Sequence, residues 1–182
     1  MLLTAMSGVG KSTVAERLCQ LGYKAVDTDY GGFSEVDDRG RQRWNEERIR
    51  DLLGTDDVDV LFVVGSDERQ SLFYGEFDHI VLLSAPRDVV VERLASRTNN
   101  PFGKDPDELA DALADIDKYE PLMRRSAHPE IDTAKPLGSV IDEIPSLVRL
   151  PPPRGTASRR QVPIVWSCDV DPALARMSGV RS

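Results

Sequence analysis

Apolar residues along this chain follow two rhythms. Short continuous runs, Met1-Leu2-Leu3, Val60-Leu61-Phe62-Val63-Val64 and Ile80-Val81-Leu82-Leu83, alternate with stretches where apolar residues recur every three or four positions. Continuous runs suit strands buried on both faces of a parallel sheet, and the longer period suits amphipathic helices. The alternation predicts a strand at Met1–Ala5, a helix from Ser12 to Leu21 ended by Gly22, and a strand at Lys24–Asp29. A helix at Trp44–Leu53 follows, opening near Asn45, then a strand at Asp59–Val64 ended by Gly65-Ser66 and a short helix at Asp67–Tyr74. Next come a strand at Phe77–Ser84, a helix at Arg87–Arg97, and a long helix from Asp105-Pro106 to about Arg125 that Pro121 kinks or splits. A short strand at Glu130–Thr133 and a helix at Leu137–Leu147 complete the pattern, and Tyr30–Arg43, with Gly31-Gly32, Asp37-Asp38 and Gly40, reads as a loop. The first strand is so short that a native start a few residues upstream is expected.

The junction between the first strand and the first helix carries the chemistry. Ala5-Met6-Ser7-Gly8-Val9-Gly10-Lys11-Ser12-Thr13 matches the phosphate-binding pattern G-x-x-x-x-G-K-[ST], with Ala5 in place of the first Gly. Ala is the next smallest residue, and that position ends the strand. Gly8 and Gly10 stand where the backbone must bend toward a phosphate, so Gly8, Val9, Gly10, Lys11, Ser12 and Thr13 are predicted to form an anion nest at a helix start. In that pattern Lys11 reaches the β- and γ-phosphates and the Ser12 hydroxyl ligates Mg²⁺. The strand-loop-helix context distinguishes it from an ordinary turn with a surface lysine.

Other candidates gain meaning from that loop. Asp27 and Asp29 end the second strand, where ligands sit in open α/β folds. One could hold a water of the metal and the other orient or deprotonate a hydroxyl; the plainer reading is a solvated strand end. Gly65-Ser66 after the third strand leaves room for a substrate, or simply makes a turn. Arg97 through Lys104 joins Gly, Pro and terminal cations, as a lid closing over phosphates requires, with the lid spanning about residues 97–106. Arg43 and Arg48 flank a helix start, Arg69 and Gln70 lie near Gly65, and Arg124 and Arg125 end the long helix; each is a weaker candidate against a solvated side chain. His79 reads as a packing residue.

Composition narrows the class. The 182 residues, 40% apolar and 30% charged, suit one well-buried domain. No run is long and apolar enough to span a membrane. The net charge of −8 argues against nucleic acid as a partner. From Arg149 onward six Arg face two Asp, a charge of +4, leaving −12 on the rest. With Pro151-Pro152-Pro153, Gly155 and Pro163, this makes residues 149–182 a Pro/Arg-rich, disordered tail in expectation, and residues 1–148 the domain. Cys19 and Cys168 show no framework or metal pattern, and Cys19 reads as a buried small apolar residue. A cytoplasmic location fits both this and the nucleotide loop.

Taken together, Ala5–Thr13, Asp27-Thr28-Asp29, Gly65 and Arg97–Lys104 resemble the P-loop small-molecule kinases, the superfamily of shikimate, gluconate and nucleoside monophosphate kinases. The resemblance covers about residues 1–148. It implies a P-loop three-layer α/β/α sandwich with a five-stranded parallel sheet in the order 2-3-1-4-5. It also implies ATP and Mg²⁺ as cofactors, Asp29 meeting the acceptor hydroxyl, Asp27 supporting the metal, Gly65 lining the acceptor pocket, and Arg97 as the lid arginine. Shikimate kinases carry a triple Gly after the third strand, where this chain has Gly65-Ser66-Asp67, and the adenylate kinase Asp-Gly-x-Pro-Arg segment is absent. Asn99–Lys104, Glu120–Arg125 and Glu130–Thr133 also resemble bacterial ATP-binding proteins labelled only as AAA-type ATPases or kinase-like. The expected activity is ATP-dependent phosphoryl transfer to a small-molecule acceptor, catalysed through Lys11, Asp29 and Arg97 by a monomer or homodimer. The alternative is an ATP-binding regulatory protein, or a slow ATPase, with no acceptor.

Overall fold

The computed structural model describes residues 1–38, 41–98 and 100–148. Five strands form a parallel sheet: β1 (Leu2–Thr4), β2 (Lys24–Asp27), β5 (Leu61–Val64), β6 (Ile80–Ser84) and β7 (Glu130–Asp132). They lie in the spatial order β2-β5-β1-β6-β7, which is 2-3-1-4-5 among the parallel strands. Around the sheet run helices α1 (Lys11–Gln20), α2 (Glu46–Leu53), α3 (Arg87–Ser96), α4 (Pro106–Ser126) and α5 (Leu137–Ser146). Strand alternation divides the core in two. Leu3, Ala25, Phe62, Val64, Val81, Leu83 and Ile131 face Val14 and Leu18 of α1, Val90 and Leu94 of α3, and Val140 and Ile144 of α5. Leu2, Val26 and Val63 face the opposite way, against Trp44, Phe73, and Ile49 and Leu52 of α2. Each large side chain fully buried this way contributes roughly 1.5–3 kcal/mol. Cys19 is partly buried against the first cluster.

The stretch after β2 differs from its expected loop. Ser34–Val36 (β3) and Gln42–Trp44 (β4) pair antiparallel, with Ser34 opposite Trp44 and Val36 opposite Gln42. Gly31-Gly32 precede this hairpin with positive φ, and Asp37, between its strands, accepts the Arg41 N–H through Oδ1. Trp44 therefore ends a strand rather than starting a helix, and it is 3% exposed. Helix α2 begins one residue after Asn45, whose side chain accepts from the Arg48 N–H and caps it. The short helix expected at Asp67–Tyr74 is a tighter 3₁₀ segment, Gln70–Glu76. Its start is delayed because the Asp67 carboxylate accepts the N–H groups of Trp44 and Arg69, which fixes that stretch as a turn. Strand β6 starts at Ile80 rather than Phe77. Pro121 does not split α4; that turn faces water, which can satisfy the carbonyl that proline leaves without a donor. Residues 149–182, including Cys168, lie outside the described residues.

β1 lies at the centre, with Leu3 beside Val64 on one side and Val81 on the other. This register gathers Ala5, Asp27, Gly65, Ser84 and Thr133 along one edge of the sheet. A cavity of about 450 Å³ opens at the other edge, lined by Met1, Leu61, Phe77 and His79 among others. Among the described residues no helix is long and apolar enough to cross a membrane.

Candidate active site

The phosphate loop is held by what it packs against. Gly8 (φ 82°) and Gly10 (φ 109°) both adopt backbone conformations that disfavour a side chain. A Cβ on Gly8 would come within 2.8 Å of Val90 Cγ1 and 2.9 Å of Leu94 Cγ, so α3 sits directly behind the loop. Gly10 precedes α1 and supplies no side-chain cap, leaving the first N–H groups of that helix for another acceptor. Ala5 is fully buried, as the end of a central strand requires. Its carbonyl accepts from Lys11 Nζ at 3.2 Å. Lys11 is 8% exposed and lies 3.7 Å from Asp29 Oδ2.

The structure brings both acids to this lysine. β2 ends at Asp27, and Thr28-Asp29 turns, so the strand alternation that would have separated the carboxylates does not apply. Asp27 Oδ1 accepts the Asp29 N–H at 3.0 Å and fixes the turn. Asp27 Oδ2 is buried without a partner among the described residues. Burial first, and the Asp29 charge second, push the Asp27 carboxyl up to about 6; the Ser12 hydroxyl, the Asp29 N–H and Lys11 oppose this. Tyr30 completes the group. Burial, then Asp27 and Asp29, raise its phenol, while Arg97 and the Ser12 hydroxyl pull it down. Tyr30 belongs to the stretch whose sequence reads as a loop, and its position directly after the two acids is the signal that marks it.

Gly65 lies under Thr28. A Cβ there would fall 1.9 Å from Thr28 Oγ1. Thr28 Oγ1 donates to the Val64 carbonyl at 3.2 Å and accepts from Trp44 Nε1 at 2.9 Å. Gln70, 4% exposed, accepts from Thr4 Oγ1 at 2.9 Å and donates to the Tyr74 hydroxyl at 2.8 Å. Thr28 and Gln70 thus each sit in a buried polar network. Several weaker cationic candidates are engaged elsewhere. Arg43 donates to Glu68 at 2.7 Å and lies 3.4 Å from Asp37. Arg69 pairs with Glu46 at 3.0 Å. Arg124 pairs with Glu120 and Glu130 at 2.7 Å each, and the bonds to Glu130 and Glu120 raise its guanidinium. Arg48 reaches the Gly31 carbonyl at 3.5 Å.

Arg97 ends α3 and starts the segment read as a lid. Its Nη2 donates to the Phe102 carbonyl at 2.5 Å, and the guanidinium lies 5.9 Å from the centre of the Phe102 ring. Its Nε is buried without a partner among the described residues. Burial lowers the guanidinium, and Tyr30 and Glu108 raise it. Gly103 (φ 83°) turns the segment, and its N–H donates to Glu108 Oε2 at 2.8 Å.

No protein-family model and no curated protein sequence matches the chain. Solved structures do resemble it. A shikimate kinase from Bacteroides thetaiotaomicron is 20% identical with a TM-score of 0.61, covering 82% of this chain and 97% of that one. A shikimate kinase from Acinetobacter baumannii, in complex with shikimate, is 19% identical with a TM-score of 0.58, covering 81% and 91%. A sugar kinase from Janibacter sp. is 18% identical with a TM-score of 0.55, covering 83% and 94%. The chain has the fold of the P-loop small-molecule kinases.

Proposed function

We propose that the chain is an ATP-dependent kinase that moves the γ-phosphoryl group of ATP to a hydroxyl of a small-molecule acceptor. The observation that carries this reading is the meeting of Lys11 and Asp29 at 3.7 Å, at the mouth of a loop whose glycines expose helix N–H groups. The donor set fits both cofactors. The nest and Lys11 suit the ATP phosphates. The partnerless, buried Asp27 Oδ2 and the Ser12 hydroxyl, both oxygen donors, suit Mg²⁺. When bound, Mg²⁺ supplies charge neutralisation at the β- and γ-phosphate oxygens.

The residues divide the work. The loop N–H groups and Lys11 hold and neutralise the phosphates, and Thr13 extends the nest into the first turn of α1. Asp29 accepts the hydrogen bond of the acceptor hydroxyl and takes its proton as the new O–P bond forms and the bond from Pγ to the bridging oxygen breaks, leaving ADP. Gly65 keeps the floor low by letting Thr28 pack against it. Arg97 meets the transferring group when its segment closes. Phosphoryl transfer is mostly positioning and charge neutralisation, so these roles suffice. The acidic body disfavours nucleic acid as the acceptor, and the location proposed is cytoplasmic.

The test is an ATP-consumption screen over hydroxy acids, sugars, nucleosides and nucleotides, run on the wild-type chain and on Lys11→Ala. Acceptor-dependent consumption that Lys11→Ala abolishes supports the reading. Consumption independent of every acceptor favours the slow-ATPase alternative.

A further inference from the structure

Two side chains that take no part in the proposed transfer converge on one backbone oxygen of the phosphate loop. Arg93 Nη1 donates to the Val9 carbonyl at 2.7 Å and to Thr133 Oγ1 at 2.9 Å, while its Nη2 donates to the Thr133 carbonyl at 2.7 Å. Thr133 Oγ1 lies 2.7 Å from the Val9 carbonyl and 3.1 Å from that of Ser84, and its N–H donates to Ser84 O at 2.8 Å. The ends of β6 and β7, helix α3 and the phosphate loop are thereby tied at a single point. Thr133 is 6% exposed. Among the described residues Arg93 has no ion pair, so its positive charge is not cancelled by a carboxylate.

We propose that Arg93 and Thr133 are positioning residues that preset the phosphate loop for an anion through the Val9 carbonyl. The inference rests on the phosphate-binding half of the kinase reading and adds to it a cause for the loop's shape. In a trans peptide the C=O and the N–H point opposite ways. Drawing the Val9 carbonyl back onto two donors turns the Gly10 N–H forward, into the nest. A carbonyl left free could flip inward and present a partial negative charge to the phosphates. The neighbouring packing agrees: Gly10 lies close enough to Arg93 that a Cβ would be 3.6 Å from Nη1, and Gly8 rests on Val90 and Leu94 of the same helix. The residual charge of Arg93, behind the loop, adds to the attraction for an anion.

The test measures binding of Mg²⁺-ATP and of inorganic tripolyphosphate to the full chain by calorimetry, with thermal unfolding of each variant alongside. Tripolyphosphate carries the phosphates without base or sugar. Arg93→Met is expected to weaken both ligands by the same factor, about tenfold or more, as loss of a charge-assisted hydrogen bond implies. Thr133→Val is expected to weaken both about threefold, the worth of a neutral hydrogen bond. Arg93→Lys, which keeps one donor and the charge, restores part of the loss for both. Arg93→Met that weakens ATP but leaves tripolyphosphate unchanged overturns the proposal, since the arginine would then act on the base or sugar. Equal binding of both ligands by Arg93→Met and wild type overturns it too. Should Arg93→Met not fold, Thr133→Val decides: unchanged tripolyphosphate affinity counts against the proposal, and a parallel loss of both ligands supports it. A wild-type chain that binds tripolyphosphate but transfers no phosphoryl group contradicts the kinase reading alone.

Discussion

Lys11 Nζ sits between the Ala5 carbonyl, 3.2 Å away, and the Asp29 carboxylate, 3.7 Å away. The ammonium is thus shared between the loop's own backbone and Asp29, the group proposed to handle the acceptor. In the proposed reaction, phosphates competing for Lys11 would release Asp29 toward the acceptor hydroxyl. Asp29→Asn is expected to lower kcat about 10²–10⁴-fold while ATP affinity changes less than about threefold. Steady-state kinetics with separate ATP titrations check this, and an ATP-affinity loss as large as the kcat loss would move Asp29 to the donor side.

Burial of Asp27 costs the folded chain stability once its carboxylate ionises. Its folded value, about 6, exceeds its ordinary 3.8, so the folded, ligand-free chain binds this proton more readily than the unfolded chain. The stability this group contributes is fully present below about 3.8 and is lost as pH rises through about 6. Asp27→Asn is expected to stabilise the ligand-free chain at pH 7.5 by about 1–2 kcal/mol and to weaken Mg²⁺-dependent ATP binding. Thermal melts with and without Mg²⁺-ATP measure both effects; a variant that melts lower than wild type without ligand would contradict the account.

Gly8 tests the loop itself. Its φ of 82° disfavours any Cβ, and one placed there meets α3 at 2.8 Å. Gly8→Ala is expected to cost about 2 kcal/mol of stability and to reduce ATP affinity well beyond what a surface change would. Unfolding in urea, paired with ATP binding, reports the two losses.

Among the described residues Arg97 is partnered by a loop carbonyl and ring rather than by a carboxylate within bonding distance. Arg97→Ala is expected to lower kcat by about 10²-fold or more, with Tm changed by less than about 2 °C. Arg97→Lys is expected to recover little, because an ammonium cannot offer the planar fork that a bidentate contact to phosphoryl oxygens needs. Pre-steady-state transfer rates separate this effect from slowed product release.

Much of the fold could be read from the chain because its strands are buried on both faces. The runs ending at Leu3, Val64 and Leu83 announce themselves as central parallel strands, and Gly8, Gly10 and Lys11 mark the phosphate loop. The hairpin could not be read. β3 and β4 are three residues each, and half of their side chains face solvent, so no apolar rhythm marks them. The turn at Thr28-Asp29 was hidden for another reason. It depends on the Asp27 side chain accepting a backbone N–H, which overrides the strand period locally. Arg93 carries no such mark in the sequence. Its bond to Val9 crosses from α3 to the phosphate loop, a contact no local pattern encodes.

The most direct measurement of the central claim is the fate of the γ-phosphoryl group, followed by ³¹P NMR in a mixture of the chain, Mg²⁺-ATP and an acceptor drawn from the consumption screen. The account predicts a phosphate ester on the acceptor, formed in step with ADP, absent with Lys11→Ala and strongly slowed with Asp29→Asn. Inorganic phosphate as the sole product, or an ester formed equally well by Lys11→Ala, would contradict it.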